Sequence, residues 1–110
     1  MKVVVQNGGN HALSRRLVEA ALAKVAPTSL RPVSTVVILA RQSKQPEAQF
    51  HPVSSTLEIT GPQDATHVPD FIREIIIAAL IARDFGHVPA RISASALSAY
   101  EDEATRIMSG

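Results

Sequence analysis

A chain of 110 residues that is 45% hydrophobic carries enough apolar side chain for a single folded core, which excludes the disordered class. With 11 basic and 10 acidic residues its net charge is +1, so the basic footprint of a dedicated nucleic-acid binder is missing. The absence of cysteine excludes disulfides and thiolate metal sites, and Phe50, Phe71, Phe85 and Tyr100 are the only aromatic residues, which leaves the core to aliphatic side chains.

In chain order, Val3-Val4-Val5 reads as a short strand stopped by the turn signal Asn7-Gly8-Gly9. Asn10 is placed to cap a helix whose stripe is Leu13, Leu17, Ala21 and Val25, with Val18 and Leu22 beside them and Pro27 ending it. Thr28 to Pro32 reads as a loop. Val33 to Ala40 is the strongest strand, and its apolar second half predicts a central strand covered on both faces. Arg41 to Glu47 is a polar loop containing Pro46.

Ala48 to His51 and Thr56 to Thr60 read as a hairpin closed by the turn Pro52-Val53-Ser54-Ser55. Strict alternation puts Thr56, Glu58 and Thr60 on an exposed face, and Gly61-Pro62 is expected to break the strand. The main helix spans roughly Asp70 to Phe85, with Pro69 and Asp70 suited to its start and Gly86 to its end. Every residue between Glu74 and Arg83 is apolar, so this helix must be covered on most sides. A last helix starts at about Ser93 or Ser95 and runs to Met108 on a stripe of Leu97, Tyr100, Ala104 and Ile107. Its charged residues Glu101, Asp102, Glu103 and Arg106 face water.

The order strand, helix, strand, strand, strand, helix, helix predicts a single α+β domain over residues 1–110: a small mixed sheet with helices packed on it. The longest unbroken apolar run, Ile75 to Ala82, is far short of the ~18–20 residues of a membrane span, and Met1 to Gln6 lacks the long apolar stretch expected of a signal peptide. The expected location is cytoplasmic, without a membrane partner.

Chemistry-bearing residues are few. His11, His51, His67 and His87 have no co-ligand at helical spacing and read as separate surface or loop histidines. No metal site and no cofactor is expected. Asn7-Gly8-Gly9-Asn10 matches neither a dinucleotide nor a nucleotide-phosphate loop. No serine sits in a nucleophile elbow. Arg73 and Glu74 stand out because they lie in the first turns of the main helix, just before its wholly apolar stretch, at the rim of the core or in a cleft.

At these residues the chain resembles the zincin-like minimal metallopeptidases. Ala48 to Ile59 looks like the family's edge hairpin, and Phe71-Ile72-Arg73-Glu74-Ile75-Ile76-Ile77 looks like its active helix. The resemblance covers about residues 1 to 86 and implies a His-Glu-x-x-His helix. The two histidines would fall at Arg73 and Ile77, and only Glu74, where the family keeps its general base, is retained. An arginine or an isoleucine offers a metal no lone pair, so the resemblance implies a pseudo-enzyme.

The leading expectation is a catalytically inactive zincin-like domain that binds another protein or itself, with Arg73, Glu74 and His51 as candidate binding residues and the apolar helix partly exposed for the partner. The alternative is a metal-dependent hydrolase with an atypical site around Glu74, helped by His51 and His11. A second alternative is a nucleic-acid-binding accessory protein using Arg15, Arg16, Lys24 and Arg31.

Overall fold

Four β-branched or alternating segments and three amphipathic or apolar ones become strands and helices in the computed structural model, which describes residues 1–6 and 12–110. The elements are β1 (Lys2–Val5), α1 (Arg15–Leu22), β2 (Thr35–Ser43), β3 (Ala48–His51), β4 (Thr56–Pro62), α2 (Val68–Phe85) and α3 (Ala94–Ser109). Short 3₁₀ turns occupy Pro27–Leu30 and Ala65–His67. The fold is α+β, with a mixed sheet of strand order β1-β2-β4-β3. β1, β2 and β4 run parallel, and β3 lies antiparallel against β4 at the edge.

The alternation of each strand divides the sheet into two unlike faces. Val3, Val36, Leu57 and Phe50 lie in one register row and Ile38 and Ile59 in another, all buried against the helices. Among the described residues, no helix packs on the opposite face. There Val37 and Leu39 are half-buried, which corrects the expectation that β2 is covered on both sides. β2 is central in the order of strands, but only one of its faces is sealed.

α2 is the hub of the core. Phe71, Ile75, Ala78, Ala79 and Ala82 pack toward the sheet and α1, while Ile76, Ile77, Leu80 and Ile81 form a second cluster with Val25 and Ala104. The second cluster is closed by Leu97, Tyr100 and Ile107 of α3. The all-apolar run from Ile75 to Ala82 is therefore explained by burial on both sides, so that run offers no apolar face to a partner. Pro69 sits in its first turn, and Gly86 terminates it at φ 75°, a conformation that a side chain disfavours.

α1 departs most from expectation. It begins at Arg15, and Ser14 caps it by accepting the Leu17 N–H at 3.2 Å. Leu13 and Val18, each 1% exposed, occupy the two positions of a hydrophobic staple. This start rotates the buried stripe to Val18 and Leu22, so Leu17 is 44% exposed. The helix ends at Leu22, and Pro27 opens a 3₁₀ turn instead of ending the helix. The Asn7-Gly8-Gly9 turn, the Asn10 cap and His11 lie outside the described residues.

Two further corrections concern β4. It continues through Gly61 and Pro62, because pairing with Gln42 and Ser43 resumes after an irregularity in register between Ile38 and Gln42 of β2. Thr60, expected on an exposed face, is fully buried, because the chain from Ser43 to Glu47 folds over it.

Candidate functional site

The prolonged end of β2 creates a cleft. Thr60 Oγ1 lies 2.6 Å from Ser43 Oγ and accepts the Glu47 N–H at 3.1 Å. The Thr60 N–H donates in turn to the Glu47 carbonyl at 3.2 Å. These bonds pin the segment between β2 and β3 against the sheet. Lys44, Gln45 and Pro46 then face the first turns of α2 across a cleft of about 320 Å³, completed by His67, Asp70, Arg73 and Glu74.

The cleft walls are densely charged. Arg73 and Glu74 are half-buried, and neither has an ion pair or hydrogen bond among the described residues. Lys44 likewise has none. Burial pushes the Glu74 carboxyl above its ordinary value; Arg73 pulls it back and Glu101 adds to the rise. His67 approaches Asp64 at 3.9 Å and Asp70 at 3.7 Å.

Arg73 and Glu74 are thus brought to one site, while the other candidates are dispersed. Ile77, one turn beyond Arg73, is 2% exposed and sealed in the cluster between α2 and α3. His51 follows Phe50, whose ring faces the helices, so His51 points to the uncovered face of the sheet and pairs there with Glu58. The sheet itself separates His51 from Glu74. The Glu58 carboxylate is half-buried in that pair instead of free in solvent.

His87 Nδ1 lies 3.0 Å from the Phe85 carbonyl, near the far end of α2. Among the described residues, no three His, Asp or Glu side chains converge in a way that could hold a metal ion. Of the basic residues of α1 and its flanks, Arg15 pairs with Glu19 at 3.0 Å and Lys24 Nζ donates to the Met108 carbonyl at 3.0 Å. No helix among the described residues is long and apolar enough to cross a membrane.

The sequence singles out Arg73 and Glu74 on one wall of the cleft and leaves the opposite wall unmarked. Lys44, Gln45 and Pro46 read as an ordinary polar loop. Their place depends on a register change between β2 and β4, and composition carries no mark of it. Comparison of the chain with known protein families, with curated proteins and with solved structures finds no match.

Proposed function

We propose that this chain is a non-catalytic, zincin-like accessory domain that binds a partner protein at the cleft between the Ser43–Glu47 segment and α2. The observation that carries the reading is the set of unpaired charges lining that cleft: Lys44, Arg73 and half-buried Glu74. Arg73 and Glu74, half-buried and without a hydrogen-bonding partner among the described residues, leave desolvated hydrogen-bonding capacity that a docked polar surface satisfies, and exposed Lys44 adds a charge at the rim. The edge hairpin β3–β4 directly precedes α2, in the place the family resemblance assigns to it, and this supports the zincin-like part of the reading. Arg73 in the cleft and Ile77 in the core support the non-catalytic part, since neither side chain can ligate a metal.

The test is affinity capture from extracts of the native host with the wild-type chain, Arg73→Glu and Lys44→Glu in parallel. Both positions lie at the cleft rim, so both variants should keep the wild-type circular dichroism. The expected result is one protein retained in near-stoichiometric amount by the wild type and lost by both variants. Equal retention by all three chains would reject the cleft as the docking site.

The competing hydrolase reading draws its support from Glu74, whose raised carboxyl pKa suits a proton-transfer group. Elemental analysis of untagged protein separates the two readings. Stoichiometric zinc that disappears with Glu74→Gln would favour the hydrolase.

A further inference from the structure

We infer that the cleft receives an acidic segment of the partner protein, one of whose carboxylates sits between Arg73 of α2 and Lys44 of the facing Ser43–Glu47 segment; this rests on the docking reading above and adds the chemistry of the contact. The first observation is a contrast within α2. Arg73 and Arg83 are both half-buried, while the other arginines are exposed. Arg83 is supplied with two carboxylates, Asp84 at 2.8 Å and Glu103 at 3.0 Å, and with the Ser29 hydroxyl at 3.3 Å. Arg73 has no acceptor among the described residues. A half-buried guanidinium has lost part of its water, and its planar fork matches a carboxylate. The fold makes that match at Arg83 and leaves it open at Arg73.

The nearby acids do not fill the gap. Glu74 is the next residue, and adjacent positions on a helix point about 100° apart, so the two side chains do not face each other. Glu101 of α3 also opposes the Glu74 charge from the other side. Asp70, at i−3 from Arg73, has a side chain 61% exposed to water, and its carboxylate approaches His67 instead.

The second observation is the opposite wall. Lys44 is exposed, has no acceptor among the described residues, and lines the same cleft as Arg73. Its segment is held by the bonds of Thr60 to Ser43 and Glu47, and Arg73 stands just before the buried turns of α2. Both cations are therefore carried on ordered backbone, which lowers the entropy lost when a ligand fixes them. The open donors of Arg73 and Lys44 outnumber the acceptors of Glu74. An acidic segment complements that excess, whereas a basic one would meet two like charges. Glu74 beside them favours a singly charged carboxylate over a doubly charged phosphate.

Nuclear magnetic resonance titration of the chain with end-blocked tetraglutamate, tetraglutamine and tetralysine peptides and with inorganic phosphate, all at one ionic strength, tests the inference. Tetraglutamate alone should shift the Arg73 Nε–H signal and the Lys44 and Gln45 amides, and the shifts should saturate. Arg73→Gln and Lys44→Gln should each weaken that binding roughly threefold or more, and Glu74→Gln, which removes the like charge beside the ligand, should tighten it about threefold. Tetralysine moving the same signals, or Glu74→Gln weakening tetraglutamate, overturns the inference. So does an equal response to phosphate, which would make the cleft a general anion site. Silence up to about 10 mM tetraglutamate also overturns it. If a host protein is still captured and then lost by Arg73→Glu, that silence rejects the acidic contact and leaves the cleft as the docking site. If Arg73→Gln fails to fold, Lys44→Gln on the exposed rim and Glu74→Gln decide by their opposite signs.

Discussion

Arg83 Nη1 donates to Glu103 Oε2 at 3.0 Å, joining the last turn of α2 to the middle of α3. The same guanidinium donates to Asp84 Oδ1 from Nε at 2.8 Å and to Ser29 Oγ at 3.3 Å. Tyr100 completes the group by donating its hydroxyl to Asp84 Oδ2 at 2.7 Å. Glu103 was expected to face water, yet it is half-buried and is one of the ties that hold α3 in place. Glu103→Gln keeps the shape and removes the charge. It should lower stability by about 1 kcal/mol, read as a lower urea midpoint with an unchanged slope.

Tyr100 is the only tyrosine, so its titration is directly visible by ultraviolet absorbance. Burial, then the hydrogen bond to Asp84, pushes its hydroxyl up to about 12. The fold favours the neutral phenol, so this stabilisation is complete below the ordinary value of 10.0 and is lost as the pH rises through 12. Asp84 behaves in the opposite sense. The hydrogen bond from Arg83, then that from Tyr100, holds its carboxyl below 3.8, so its contribution is present above that value and fades as the pH falls through the lowered one. The native chain should show a tyrosine titration shifted upward from that of the urea-unfolded chain. Coincident curves would place Tyr100 outside the network.

Glu74 gives a prediction of the opposite kind. Its raised carboxyl pKa means that the ionised form is disfavoured by the fold. The contribution of the protonated form is complete below 4.5 and is lost as the pH rises through the raised value. Glu74→Gln should therefore melt higher than the wild type at pH 7 and lose that advantage in acid. A lower melting temperature at pH 7 would mean that the carboxylate is paired in the folded chain.

Thr60 is the hidden support of the cleft. Thr60→Val removes the acceptor of the Glu47 N–H while preserving shape, at a cost of about 1–3 kcal/mol. Hydrogen exchange at Glu47 should accelerate more than exchange in α2. Uniform acceleration would show a general loss of stability instead of a freed loop.

Ile76 is fully buried between α2 and α3. Ile76→Ala should cost ~2–5 kcal/mol, and Ile76→Asp should abolish cooperative melting. An unchanged melting temperature in Ile76→Asp would refute the burial of α2 on both sides.

The parts of the fold that were legible in the sequence are those fixed by local chemistry. α2 announced itself by an unbroken apolar run between a proline start and a glycine end, and the β3–β4 hairpin by alternation around a turn. The start of α1 is not fixed by the sequence because Asn10 and Ser14 are equally good caps, and the choice between them turns on whether Leu13 is helical or a staple. The uncovered face of β2 could not be read from Val37 and Leu39, since apolar residues on both sides of a strand report hydrophobicity and not what packs on it. Of the site, Arg73 and Glu74 were visible because charge abuts an apolar run. Lys44 was not, because it is placed by the long-range partners of Thr60 and Ser43.

The central claim is that the Arg73–Glu74 cleft binds a partner through its unpaired charges. Calorimetric titration of the purified partner into the wild-type chain and into Arg73→Glu tests it most directly. A roughly tenfold or greater loss of affinity in Arg73→Glu, with an unchanged fold, is the predicted result. Equal affinity for both chains would contradict it.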